Sequence, residues 1–315
     1  MSLATQPDGQ LPLESVFENH NFLMETGKVA EGHFDKNEFS KNIAVIGYPG
    51  FAYALKPVLR KHEMIKPVFV IDTVEKQQMF QDDPMIPEHK RNNVFKYNIT
   101  SFASGLKKTI IQENELLDTL ENISGVTVFS EVHDLGFVKL LDYRLCNESG
   151  LYEYPINWFL AMPSAIYKNL TLISRGFYKV SFHALHKCTV KKMALTGTHS
   201  MHPVLLHVTP NYQLLSQLKV ERKFFKVFLN QMGQKTSLIL PFVESMVTDS
   251  TEVVRPLLDT QYTRVCDVHP TKLLEIFIAL TNMPEFEGSM FKQILYKEQW
   301  NETKSEDEKS TGREP

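Results

Sequence analysis

Three things are scarce in this 315-residue sequence: long apolar runs, cysteine, and, across one wide window, acidic residues. No apolar run approaches the roughly 18 residues of a membrane-spanning helix. That argues against a membrane protein. The three cysteines, Cys146, Cys188 and Cys266, are odd in number, far apart and never arranged as CxxC. Such usage points to a reducing compartment and away from a disulfide or zinc framework. Cations are rare at the start as well. Lys28 and Lys36 are the only lysines or arginines in the first 36 residues, which therefore do not read as an Arg-rich transit peptide. Five Asn-x-Ser/Thr sequons, at Asn98, Asn122, Asn147, Asn169 and Asn301, read as chance matches without a signal peptide.

The missing acids carry more information. Between Tyr154 and Val220 there is no Asp or Glu, while Lys168, Arg175, Lys179, Lys187, Lys191, Lys192 and Lys219 are present. Extended to Val243, the window gains Arg222, Lys223, Lys226 and Lys235 against Glu221 alone, so it carries 11 − 1 = +10. Since the whole chain is −3, the remainder carries −3 − 10 = −13. Segregation on this scale in a near-neutral protein suggests a polyanion partner, and phosphate is what a cationic surface without interleaved acids binds best. The plainer alternative is a solvated cationic face.

What is present is ordinary globular material, 43% hydrophobic and 23% charged, enough for one large α/β domain and a smaller appendage. Residues 1–40 are polar and acidic and read as a loosely packed arm. Asn42 to Ile46 is a short apolar run ending in Gly47-Tyr-Pro-Gly50; an amphipathic segment from Phe51 to His62 follows, then Pro67 to Ile71 closing on Asp72. Strand, glycine turn, helix, strand and acid form the opening βαβ unit of a Rossmann-type sheet. Further strands are expected at Asn93–Tyr97, Val126–Phe129, Ile156–Ala161, Val180–Phe182, Lys191–Leu195 and Val204–Val208, with helices at Phe102–Ile111 and Leu135–Cys146. Beyond Pro210 the pattern is helical. One helix is expected over Gln213–Asn230, with Lys219, Arg222, Lys223 and Lys226 as a stripe on one face. Others are expected from Pro270 through Leu280 and over Phe286–Lys297. The expected organisation is thus a 1–40 polar arm, a 41–210 α/β domain, a 211–300 helical domain and a disordered 301–315 tail.

A nucleotide or S-adenosylmethionine needs a glycine turn for close backbone approach and an acid at the next strand end for the ribose hydroxyls. Gly47, Gly50 and Asp72 supply those elements. The third small position of the dinucleotide motif, however, falls on Tyr53, whose ring would obstruct close helix–strand packing. Asn98 stands where methyltransferases often place an acid against the adenine. After the fourth strand, Phe129-Ser-Glu-Val-His-Asp134 has neither the proline nor the adjacent aromatic of the Asn/Asp-Pro-Pro/aromatic motif that holds an adenine amino group. A strand-to-helix turn that binds nothing is an equally good reading of the glycines.

Taken in order, Val45-Ile-Gly-Tyr-Pro-Gly50, Val68-Phe-Val-Ile-Asp72, Asn157-Trp-Phe-Leu-Ala-Met-Pro-Ser164, the basic segment through His186-Lys-Cys188, Pro203-Val-Leu-Leu-His-Val-Thr-Pro210 and Val268-His-Pro-Thr-Lys-Leu-Leu-Glu-Ile-Phe277 resemble the mitochondrial transcription factor B family. That family descends from rRNA adenine dimethyltransferases, and the match is closest to its divergent fungal-type specificity factors. The resemblance covers roughly residues 41–298. It implies a Rossmann-like, S-adenosylmethionine-dependent methyltransferase fold with a small C-terminal helical domain. It further implies a mitochondrial transcription initiation factor, monomeric when free, that joins the single-subunit mitochondrial RNA polymerase and melts promoter DNA.

On that reading no catalytic residue survives and no cofactor is required. Gly47, Gly50, Asp72 and Asn98 are vestiges of an S-adenosylmethionine site, and the nucleic-acid contacts are Lys168, Arg175, Lys179, Lys187, Lys191, Lys192, Lys219, Arg222, Lys223 and Lys226. Tyr167, Phe177, Tyr178 and Phe182 offer stacking surfaces for unpaired bases, unless they pack in the core. The alternative is an active mitochondrial rRNA adenine N6-dimethyltransferase. His183, His186, Cys188, His199 and His202 are metal-capable, but their spacing matches no common zinc module, and no metal is expected.

Overall fold

The computed structural model describes residues 20–36, 42–46, 50–71, 74–84, 86, 88–90, 94–96, 126–132, 157–172, 177–193, 203–232 and 236–297. It divides into two compact units.

The first unit is built on a seven-stranded sheet: β1 (Asn42–Ile46), β2 (Lys66–Ile71), β3 (Val94–Lys96), β4 (Val126–Glu131), β5 (Asn157–Pro163), β6 (His186–Met193) and β7 (Pro203–Pro210). Its strand order is β3-β2-β1-β4-β5-β7-β6. β1 runs parallel to β2 and β4, β2 to β3, and β4 to β5, whereas β7 is antiparallel to β5. A parallel sheet that reverses direction outward from β1, with one antiparallel strand inserted beside β5, is the Rossmann-like methyltransferase architecture anticipated from the sequence.

A parallel sheet is covered on both faces, so its strands are apolar throughout rather than alternating. β5 shows this, with Trp158 to Pro163 all buried. Phe129 and Phe159, on neighbouring strands, stack with centroids 4.8 Å apart on one face, and Trp158, Leu160 and Met162 are buried on the other. The Phe129–Phe159 face is covered by α1 (His20–Phe34) and α2 (Gly50–Lys61), which bring Phe22, Ala30, Phe34, Phe51, Leu55, Val58 and Leu59 into a shared core. α3 (Val74–Gln81) adds Phe80 against Phe69 at 4.5 Å.

α1 corrects the reading of residues 1–40 as a loose polar arm. Its inward residues are Phe22, Thr26, Gly27, Ala30 and Phe34, a helical stripe made mostly of small side chains. Small residues let two helices approach closely but give little hydropathy signal. α2 also disposes of the objection to Tyr53, which is exposed on the helix's outer side and obstructs nothing.

The second unit contains α5 (Phe177–Leu185) and the described residues from Pro210 onward. Among the latter are α6 (Tyr212–Leu215), α7 (Lys223–Met232), α8 (Ile239–Met246), α9 (Ser250–Val254), α10 (Pro270–Thr281) and a helix over residues 290–297. Phe225, Phe228, Phe277 and Phe291 form its aromatic centre, with Phe277 5.4 Å from Phe225 and 5.3 Å from Phe228. α10 opens as the sequence suggests: Pro270 takes the first turn, where its missing N–H costs nothing, and the His269 side chain caps Thr271 N–H at 3.3 Å.

Two expectations fail in this unit. Val180–Phe182 is not a strand but the middle of α5, which belongs with the helices rather than with the 41–210 domain. The helix expected over Gln213–Asn230 is broken. Ser216 Oγ and Gln217 Nε2 both donate to the Gln213 carbonyl, at 3.2 and 2.9 Å, a local alternative to continued helix. The chain resumes as α7 only at Lys223. The 301–315 tail and the helices expected at Phe102–Ile111 and Leu135–Cys146 lie outside the described residues.

Candidate cofactor edge and basic surface

In open α/β sheets, ligands bind beyond the carboxyl ends of the strands, where the strand order reverses. Here that point lies beside β1, between β2 and β4. Gly50 is buried and is the first residue of α2, so the helix starts within four residues of the end of β1. Gly47, Asp72 and Asn98 lie outside the described residues; Ile46, Ile71 and Lys96, the last residues of β1, β2 and β3, are their described neighbours.

The end of β4 is defined. β4 stays paired with β5 through Glu131, opposite Ala161, and Val132 N–H then donates to the Ala161 carbonyl at 2.8 Å. Ser130 Oγ donates to the Glu131 carbonyl at 3.1 Å. Val132 is fully buried and Glu131 nearly so. This segment is therefore an extension of the sheet, longer than the Val126–Phe129 strand read from the sequence.

The candidate phosphate-binding cations separate into several environments. Lys168, on α4 (Ser164–Thr171), is exposed, as are Lys187 and Lys191 on β6 and Lys219 in the turn after α6. None of these four forms an ion pair with another described residue. Lys223 is half-buried and paired with Glu221 at 2.7 Å. Arg222 and Lys226 are also half-buried. The single four-cation helical stripe does not exist: Lys219 and Arg222 precede α7, and only Lys223 and Lys226 lie on it. Lys192 lies in β6, and Arg175 is outside the described residues.

Lys179 is the clearest correction. It is only 2% exposed, because α5 packs against α7 and α10 and turns this position inward. It is not a surface phosphate contact. Phe182, offered as a stacking surface, is likewise fully buried, while Tyr167 is half-buried; the side chains of Phe177 and Tyr178 lie outside the description.

No family model matches this sequence, and no curated protein matches it. Among solved structures, the chain is similar to the 23S rRNA methyltransferase ErmE. The identity is 8%, the match covers 83% of this chain and 98% of that one, and the TM-score is 0.48. The strand order, independently of that likeness, defines the fold as methyltransferase-like.

The described part of the histidine-rich segment spans two elements: His183 lies on α5 and His186 opens β6. The buried His186 donates Nδ1–H to the Phe182 carbonyl at 2.7 Å, and burial lowers its pKa to about 4. Burial pushes the Cys188 thiol up to about 12, leaving it protonated and a poor ligand. Among the described residues no three His, Cys, Asp or Glu side chains are grouped to hold a metal, and no helix is long and apolar enough to cross a membrane.

A different pair of histidines does meet. His33, in the last turn of α1, places Nε2 3.4 Å from Thr127 Oγ1. His207 on β7 places Nε2 3.1 Å from Asn157 Oδ1 and stacks on Phe159 at 4.5 Å. The two imidazole centroids are 6.0 Å apart. Burial, then the charge of Lys191, lowers both pKa values, that of His207 to about 4. Neither histidine stood out in the sequence, because 174 positions separate them and only the crossing of α1 over the sheet joins them.

Proposed function

We propose that this chain is a nucleic-acid-binding factor on a methyltransferase scaffold. It partners the single-subunit mitochondrial RNA polymerase, helps open promoter DNA, and transfers no methyl group. The observation that carries the reading is the end of β4. Adenine N6-methylation on this fold calls for backbone and side-chain oxygens that hold the amino group and an aromatic ring that stacks on the base. Here Ser130, Glu131 and Val132 are committed to the sheet instead: one hydroxyl bonds to the backbone, one N–H bonds to β5, and Val132 is buried. The exposed Lys168, Lys187, Lys191 and Lys219 support a phosphate-binding role. The polymerase, the promoter, the mitochondrial matrix and a monomeric free state come with the family resemblance.

The second reading is an rRNA adenine N6-dimethyltransferase, favoured by the sheet order and by the start of α2 at Gly50 close behind β1. Gly47, Gly50, Asp72 and Asn98 would then hold S-adenosylmethionine, which supplies the electrophilic methyl group.

Two assays separate these functions. With the cognate polymerase, the factor is expected to stimulate runoff transcription from a duplex mitochondrial promoter and not from a premelted one. Equal stimulation of both templates, or of neither, defeats the promoter-opening role. Transfer of labelled methyl groups from S-adenosylmethionine to a small-subunit rRNA hairpin would establish the second reading.

A further inference from the structure

Within the helical unit, one aromatic side chain stands at the surface on an aromatic foundation. Tyr296, on the helix over residues 290–297, is 46% exposed. Its ring packs on Phe224 of α7, with centroids 5.0 Å apart and planes inclined at 59°. Phe224 is only 1% exposed and belongs to the core. The tyrosine is thus held from one side while much of it faces solvent. A side chain fixed in this way is pre-organised to receive a flat ligand, because binding orders little that is not already ordered.

Cations flank the ring. Lys292, one turn earlier on the same helix, places Nζ 5.8 Å from the Tyr296 centroid, within cation–π range. Lys223, the first residue of α7, places Nζ 5.7 Å from the Phe224 centroid. Lys297 follows Tyr296 and is exposed. Two carboxylates answer these cations: Glu287 pairs with Lys292, and Glu221 with Lys223 at 2.7 Å. Both acids are open to solvent, with side chains 74% and 56% exposed, and surface pairs of this kind are weak and screened by salt. A phosphate can therefore replace either carboxylate at small cost. An open aromatic ring beside exchangeable ammonium groups suits a single strand, whose bases stack on the ring while its phosphates meet the cations. A duplex keeps its bases stacked on one another and has no use for the ring.

We propose that Tyr296 is a stacking platform for an unpaired base of a single-stranded nucleic acid, and that Lys292, Lys223 and Lys297 hold the adjacent phosphates. This rests on the reading of the chain as a nucleic-acid-binding factor and adds the strandedness of the ligand and the ring that selects it. Tyr296, Lys292 and Lys297 lie beyond the acid-poor window, so charge segregation does not point to them. Only the packing of the helix over residues 290–297 against the start of α7 brings them to Lys223.

The test is binding of the full chain to two fluorescein-labelled strands of equal length at low salt: an oligothymidylate, and an abasic phosphodiester with the same charge and no bases. The wild type is expected to bind the oligothymidylate about tenfold tighter, within the range of one stacked base. Tyr296→Leu keeps an apolar side chain against Phe224; it is expected to erase that preference and leave the abasic strand's affinity unchanged. Tyr296→Phe keeps the ring and should keep the preference. Lys292→Gln is expected to weaken binding of both strands and reduce the salt slope by about 0.7. Crosslinking needs no variant: ultraviolet irradiation of the wild type with an iododeoxyuridine-substituted strand should join the strand to the peptide that contains Tyr296. Equal affinity of the wild type for the two strands, a preference that survives in Tyr296→Leu, or crosslinks confined to other peptides overturn the platform while leaving nucleic-acid binding intact. Failure of the wild type to bind either strand overturns both.

Discussion

Gly27 of α1 lies so close to the Ala54 carbonyl of α2 that a Cβ added to it would stand 2.5 Å from that oxygen. The contact explains why a stretch with modest hydrophobicity is locked onto the sheet unit. Two helices can approach this closely only where one has no side chain, and the approach seats Phe22, Ala30 and Phe34 in the core.

Gly27→Ala is therefore expected to destabilise the protein by about 1–3 kcal/mol, the usual effect of overpacking a close contact. Gly32 is in the same helix, but a Cβ there meets nothing within 4 Å. Gly32→Ala should stabilise by about 0.5–1 kcal/mol through helix propensity alone. Urea denaturation of the two variants checks both signs; matching destabilisation would mean that α1 does not pack as described.

The helical unit has its own centre. Phe277 is fully buried and touches the rings of Phe225, Phe228 and Phe291. Phe277→Ala is expected to cost about 3–5 kcal/mol, seen as a drop in the thermal midpoint and loss of near-ultraviolet circular dichroism. Unaltered unfolding would contradict this core.

Acid should loosen the same unit through His186. Its pKa is about 4 in the folded chain against an ordinary value of 6.5, because burial opposes the charged ring. The neutral form is thus the folded form. Its contribution is intact above pH 6.5 and is lost as pH falls towards 4, by about 3 kcal/mol over the interval. His186→Phe keeps an aromatic ring against Phe182 and should flatten the decline in unfolding free energy between pH 6.5 and 4. The measurement is a series of denaturation curves across that range, and an unchanged slope would refute the assignment.

Charge reversals around α7 should not be equivalent. Glu221 already partly answers Lys223, whereas Lys219 is exposed with no described ion-pair partner. Lys219→Glu is expected to weaken DNA binding about tenfold at low salt and Lys223→Glu by less, as judged by fluorescence anisotropy. Reversing Lys219, Arg222, Lys223 and Lys226 together should weaken it most. Equal affinity at low salt for the fourfold variant and wild type would remove this segment from the binding surface.

The sequence by itself determined the βαβ opening, because Ile43–Ile46 and Pro67–Ile71 are continuous apolar runs flanking an amphipathic helix, and that pattern has few alternatives. It also determined the start of α10, where Pro270 is tolerated in the first turn, and the segregation of charge, which is a property of composition. Tertiary structure decided the rest. α1 depends on Thr26, Gly27 and Ala30 fitting against α2, which hydropathy does not register. α5 is helical because Lys179, Phe182 and Leu185 are buried among other helices, although Val180–Phe182 alone has strand-like residues. The basic window cannot act as one stripe, since Lys179 is buried, Lys223 is paired and Lys187 and Lys191 lie on a strand while Lys223 and Lys226 lie on a helix. His33 and His207 become neighbours only when the last turn of α1 closes over the sheet, because spatial proximity across 174 residues leaves no local pattern to read.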